Sequence, residues 1–238
     1  MGGAIFITGT DTGVGKTFFA CGLARLLRES GHKVGVMKPA ETGCDRGDGK
    51  IVPQDALALK QASGCALPLE QICPYQFREP VAPSVAAGRE GKRIDVDRLI
   101  AIYSEIAAGH DITIVEGAGG LLVPLLPSYT YADFARVLQL PIVVVAANKL
   151  GVINHLLLTL EHAGCGGLRV LGYVLNQIDS PPSVAAETNR ESLASLTGAF
   201  CMGEIPYIEP SRGPEAPLLD LMSEVLDLRV LEPFINHR

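Results

Sequence analysis

No stretch of the chain stays apolar for the ~20 residues that cross a bilayer, and its first residues lead straight into a strand pattern rather than a secretory leader. None of the six cysteines forms a C-x-x-C pair. A zinc site or a disulfide frame is therefore not expected, and the thiols read as buried groups of a reducing compartment. Basic charge is not in excess either. Twenty Lys and Arg against 26 Asp and Glu leave a net charge of −6, which argues against a general nucleic-acid or anionic-membrane binder. Anions must then be held locally, by loops, helix ends and a few lysines. No internal repeat or flexible linker divides the 238 residues, 47% of them hydrophobic. The expectation is one large cytosolic domain over residues 1–238 with ample apolar surface for a core.

The chain is organised around Gly9-Thr10-Asp11-Thr12-Gly13-Val14-Gly15-Lys16-Thr17. An apolar run, Ala4–Ile7, precedes it, and a helical pattern from Phe18 to Leu27 follows it. Strand, glycine-rich turn and helix are the setting of a phosphate-binding loop. Glycines let backbone N–H groups turn inward around an anion, and the helix N-terminus adds about half a positive charge. Lys16 can reach the outer phosphates, and the Thr17 hydroxyl can hold Mg²⁺. The usual spacing would put the first glycine where Thr10 stands; here Gly9 precedes it.

Further apolar runs read as strands at Val34–Met37, Ile112–Val115, Ile142–Ala147 and Val170–Leu175, with a last short one at Gly203–Pro206. Helical patterns at 56–62, 95–108, 131–138, 152–163 and 183–196, and from about residue 216, alternate with them. This predicts an α/β fold with a doubly wound, mainly parallel sheet and helices on both faces. Residues 44–53 read as a mobile loop, and 74–83 as an ordered, proline-rich one.

Polar residues mark the strand tips. Lys38 follows the second strand, as a solvated strand end or as part of a site. Asp55 opens a helix, where position alone favours an ordinary helix-start acid over a metal ligand. Glu116 ends a strand before Gly117-Ala118-Gly119-Gly120, the usual place for a Mg²⁺-linked carboxylate. Asn148-Lys149-Leu150-Gly151 resembles the guanine-reading Asn-Lys-x-Asp of GTPases, but Gly151 replaces the aspartate, so a GTPase is not expected. Asn176 and Gln177 end another strand, where an amide can read a base edge or cap a turn. The Gly9 loop, Lys38, Glu116, Lys149 and Asn176 make five tips on one sheet edge, which predicts a single site.

Taken in order over residues 4–208, these motifs resemble dethiobiotin synthetase: the loop of residues 9–17, Lys38-Pro39, Pro74-Tyr75 with Glu79-Pro80, Val115–Gly120, Lys149-Leu150-Gly151-x-Ile153-Asn154-His155, and Gly203–Pro206. The resemblance implies a P-loop NTPase-like fold. It implies closure of the ureido ring of dethiobiotin from 7,8-diaminononanoate, CO2 and ATP, with release of ADP and phosphate. It implies catalytic Lys38 and Lys16, with Mg²⁺ on Thr17, Asp55 and Glu116. ATP would be held by Gly13, Val14, Gly15, Lys16, Thr17, Phe18, Asp55, Glu116, Gly117, Ala118 and Gly119. Asn176, Gln177, Pro206 and Tyr207 would sit at the adenine. Thr42, where the family usually has serine, would face the substrate. Gly151, Val152 and Asn154 would grip the substrate carboxylate from a second subunit, making the enzyme a homodimer. Gly13 stands where some relatives have glutamate, and Pro83-Ser84-Val85 lacks a histidine often found there.

Two other P-loop readings compete. A cobyrinate diamide synthase would carry a glutamine-hydrolysing domain, for which the chain is too short. A ParA- or MinD-like ATPase switch would usually carry an extra lysine where Thr10 or Asp11 stands. ATP turnover that requires diamine and CO2 separates the synthetase from both.

Overall fold

In the computed structural model the alternating runs become six strands, β1 (Gly3–Gly9), β2 (Val34–Met37), β3 (Ile112–Gly120), β4 (Ile142–Ala147), β5 (Val170–Asn176) and β6 (Cys201–Ile205). The structure describes residues 2–47, 50–208 and 217–235. The strands lie in the order β6-β5-β4-β1-β3-β2, and every pairing is parallel. Parallel neighbours need crossovers, which place helices over both faces and leave the strands apolar along their length.

β1 shows the consequence. Ile5 and Ile7 join one core with Phe19, Leu23 and Leu27 of α1 (Lys16–Glu29), Leu59 of α2 (Gln54–Ser63) and Met222 of the helix at Pro217–Val225. Ala4 and Phe6 face the other way. They join Leu99 and Ile106 of α3 (Val96–Ala108), Phe134 of α4 (Tyr131–Val137), Leu156 of α5 (Val152–Cys165) and Leu193 of α6 (Val184–Leu196). Burying Phe19 and Leu23 contributes about 1.5–3 kcal/mol each, which anchors α1 and so fixes where its N-terminus points. No described helix is long and apolar enough to cross a membrane.

Local signals set the helix starts. The Asp95 carboxylate accepts from the N–H of Arg98 at 3.1 Å. Thr130 and Asp133 cap α4 reciprocally, each side chain accepting from the other's backbone N–H.

Two expectations need correction. β3 does not end at Val115: pairing with β1 continues to Gly120, so Glu116 lies inside the strand, opposite Ile7. The glycines permit this, since a Cβ on Gly120 would meet the Gly9 carbonyl at 3.1 Å. Residues 44–53 are not a plain loop, because Asp45–Gly47 and Lys50–Val52 pair antiparallel. The overlooked signal was the hairpin dipeptide Asp48-Gly49, which itself lies outside the described residues, as does Ala216 at the expected start of the last helix. The 74–83 segment is ordered as expected: Tyr75–Gln76 pairs with Ala40–Glu41, and Phe77 is buried.

The chain travels from β1 out to β2, returns through β3, then crosses β1 to reach β4. All six carboxyl ends emerge on one edge, and the reversal beside β1 is where open α/β sheets bind ligands.

Candidate active site

β1 delivers the chain to the glycine loop. Gly13 and Gly15 take φ of 74° and 94°, conformations that glycine adopts freely and other residues rarely do. Gly15 is also closed in from outside, for a Cβ there would lie 2.1 Å from the Asn176 amide nitrogen. That amide donates to the Val14 carbonyl at 3.0 Å, so the end of β5 braces the loop. Lys16 opens α1, is only 6% exposed, and donates to the Asp11 carbonyl at 2.9 Å. Burial, and then the nearby Lys38 charge, bring its pKa down to about 8.

Lys38 leaves β2 for the centre of the site. Its Nζ lies 2.5 Å from Glu116 Oε1 and 2.8 Å from Asp55 Oδ2. Burial works against this ammonium, but the Glu116 and Asp55 carboxylates outweigh it and raise the pKa. Burial likewise pushes Asp55 up, while the Lys38 charge and hydrogen bond and the Thr17 hydroxyl hold it below the usual carboxylate range. Thr17 Oγ1 donates to Glu116 Oε1 at 2.8 Å. These side chains line a cleft of about 380 Å³ with Thr12, Gly13, Gly15, Lys16, Glu41, Thr42, Ala118 and Gly119.

The oxygens of Thr17, Asp55 and Glu116 therefore converge, as the sequence predicts. Glu116 Oε2 is buried with no hydrogen-bond partner, a costly arrangement unless something else satisfies it. Two carboxylates and a hydroxyl form an all-oxygen set, which suits Mg²⁺ with water and phosphate completing the shell. The set fits the cation that the motif implies.

Other expected residues lie elsewhere. Phe18 packs against the α1 side of the core. Gln177 closes the β5–β6 edge, its N–H donating to the Ile205 carbonyl at 2.9 Å. Pro206 and Tyr207 are exposed just beyond β6. Asn148 is pinned, its amide donating to the Ala186 carbonyl and its Oδ1 accepting from Asn189. Gly151 and Asn154 are exposed and Val152 is buried at the start of α5; none of the three lines the cleft.

Sequence reasoning missed Glu41. It is 5% exposed, lines the cleft, and accepts from the N–H groups of Asp55 and Ala56 at 2.9 and 3.0 Å. Burial raises its pKa, partly offset by those two N–H groups. The signal on offer was an acid inside the Lys38–Gly43 stretch, ahead of a helix whose N-cap position is Pro53.

Residues 3–215 match the family model described as an AAA domain. A protein of Anaeromyxobacter dehalogenans (strain 2CP-C) named ATP-dependent dethiobiotin synthetase BioD is 47% identical over 203 residues, covering 85% of this chain and 89% of that one. One of the same name from Bacillus subtilis (strain 168) is 39% identical over 203 residues, covering 85% and 87%. Among solved structures, a ParA family ATPase from Chlorobium tepidum TLS superposes with a TM-score of 0.59 at 16% identity, over 94% of this chain and 98% of that one. MinD from Pyrococcus horikoshii OT3, complexed with Mg-ADP, gives 0.57 at 16% identity over 92% of each. These two likenesses are of fold.

Proposed function

The chain belongs to the ATP-dependent dethiobiotin synthetases, and from that premise we propose how its residues divide the work. The enzyme is an ATP-dependent ligase that makes dethiobiotin from 7,8-diaminononanoate, CO2 and ATP. One substrate amine captures CO2 as a carbamate. A carbamate oxygen then attacks the γ-phosphate and ADP leaves. The second amine attacks the carbamate carbon, closes the ring and expels phosphate.

Every species after CO2 capture is anionic, so the barrier falls where fixed positive charge and N–H dipoles meet developing negative charge. Lys16, with the N–H groups of Gly13 to Phe18, holds the triphosphate. Lys38 stabilises the carbamate and the transferred phosphoryl group. The observation that carries this reading is the position of Lys38 Nζ, between Asp55 and Glu116 and in the same cleft as Lys16 and Thr42. Thr17, Asp55 and Glu116 would hold Mg²⁺, which would offset the negative charge of the phosphates during transfer. The unpartnered Glu116 Oε2 supports this assignment. Gly117, Ala118 and Gly119 border the phosphates from β3, and the Thr42 hydroxyl meets the substrate.

Adenine is placed beyond β5 and β6, beside Asn176, Gln177, Pro206 and Tyr207. The α5 start at Gly151, Val152 and Asn154 is assigned to the substrate carboxylate of a second copy, making a homodimer. Its absence from the cleft lining supports that assignment, as does the exposure of Leu150 and Leu158, 83% and 61%, on the same segment. The six free cysteines suit a cytosolic location.

A coupled assay tests the reading: ADP release should require both diamine and bicarbonate and match dethiobiotin formed one for one. ATP turnover indifferent to the diamine would overturn it.

A further inference from the structure

We propose that Glu41 is a positioning residue that tunes the cation affinity of Asp55; the proposal rests on the assignment of Asp55 to Mg²⁺. The start of α2 has no local cap, because its N-cap position is Pro53 and no side chain there accepts a hydrogen bond. Helix starts leave backbone N–H groups in need of partners. Here the partner comes from another element. Glu41 Oε1 accepts from the Asp55 N–H at 2.9 Å and Oε2 from the Ala56 N–H at 3.0 Å.

Asp55 is thus gripped at both ends by one strand exit. Lys38 holds its carboxylate at 2.8 Å, and Glu41 holds its backbone. The need is specific to this ligand. The Asp55 side chain is 42% exposed, whereas that of Glu116 is fully buried at 0%. Full burial holds Glu116 in addition to its bonds from Thr17 and Lys38; the half-exposed Asp55 depends on hydrogen bonds alone. A carboxylate ligand that is not held in place loses affinity through the freedom it must give up on binding. Glu41 also adjoins Thr42, so the segment that faces the substrate is the one that sets the metal ligand.

The test uses Mn²⁺ as a paramagnetic probe, titrated into the ADP-loaded enzyme and read by electron paramagnetic resonance. Glu41→Ala should raise the Mn²⁺ dissociation constant about tenfold, the scale of one lost charge-assisted pair. Glu41→Gln, which keeps one acceptor oxygen, should recover part of that loss. ADP affinity in EDTA should stay within about twofold of the parent, which separates positioning from general loosening of the fold. Asp55→Asn is the control. If it weakens Mn²⁺ binding and Glu41→Ala does not, the positioning role is wrong. If Asp55→Asn leaves Mn²⁺ binding unchanged, the metal assignment beneath it is wrong. Equal losses of Mn²⁺ and metal-free ADP in Glu41→Ala would also overturn the proposal, reducing Glu41 to a helix cap.

Discussion

Lys38 Nζ lies 2.5 Å from Glu116 Oε1, with side chains only 3% and 0% exposed. A buried pair of this kind gains little stability over apolar packing, but removing one member leaves an uncompensated charge at a cost of about 3–5 kcal/mol. Such a pair is kept for what it does. Here the ammonium is held at the centre of the site, beside the loop lysine, before any substrate anion arrives. A cation drawn to the same oxygens would compete with Lys38 for them and leave the ammonium to the carbamate.

Glu116→Gln keeps the shape of the side chain and removes its charge. We expect the Mg²⁺ concentration for half-maximal rate to rise, and kcat to fall far more than diamine affinity. Measuring rate against Mg²⁺ at saturating diamine checks this. A variant with the parent's Mg²⁺ dependence would place the cation away from Glu116.

Much of this site was legible in the sequence, for a physical reason. In a parallel sheet every strand ends on the same edge, so polar residues after apolar runs are gathered whatever their separation along the chain. Lys38 and Glu116, 78 residues apart, are an example. Thr17, within a loop of known geometry, was equally readable. Glu41 was not, because its partners are backbone N–H groups, which no residue type advertises. The extension of β3 past Glu116 was hidden by its glycines, which read as a turn yet permit close pairing with β1. The bracing of the loop by Asn176 was hidden too, since its partner is the Val14 backbone carbonyl, which no residue type advertises.

Lys16 supplies a pH prediction. Its pKa of about 8 in the ligand-free chain lies below the ordinary lysine value of 10.5, so part of the population is neutral in mildly alkaline buffer. A bound phosphate favours the charged form. Nucleotide binding should therefore take up protons, and affinity should fall as pH rises through 8. The uptake should be larger near pH 8.5 than near pH 7. Calorimetry of ADP binding in buffers of differing ionisation enthalpy measures it. Uptake that does not grow between those pH values would mean that Lys16 is fully charged before nucleotide arrives.

Asn176 is given two jobs, one for its contact with Val14 and one for adenine. Bracing the loop predicts that Asn176→Ala weakens binding of tripolyphosphate, which has no base. Reading adenine predicts a further loss seen only with ADP. Loss of one hydrogen bond to a buried group costs about 1–3 kcal/mol, a change that competition calorimetry resolves. Unchanged tripolyphosphate binding would rule out the brace, and equal losses for both ligands would rule out the base contact.

Asn154, exposed at the start of α5, is assigned to the substrate of the second copy. Asn154→Ala should raise the KM for diamine about tenfold, the scale of one lost charge-assisted hydrogen bond, and leave ADP affinity unchanged. Mixing it with a Lys38→Gln chain adds a sharper reading. Hybrid dimers pair one intact site with one doubly damaged site, so mixing should bring recovery of the parent's low diamine KM in part of the activity. Absence of any recovery in verified hybrids would mean that each chain builds its site alone.

The role of Lys38 is tested most directly by two measurements on one variant, Lys38→Gln: diamine binding by calorimetry in CO2-free buffer, and the steady-state rate with bicarbonate. The resting diamine carries ammonium groups that Lys38 does not attract, whereas the carbamate and the transferring phosphoryl group are anions that it does. Diamine affinity should stay near that of the parent, while kcat falls on the order of 10²–10³, the usual effect of removing one charge that acts in the transition state. A variant that lost diamine binding but turned over normally at saturating substrate would contradict this, and would make Lys38 a ground-state contact.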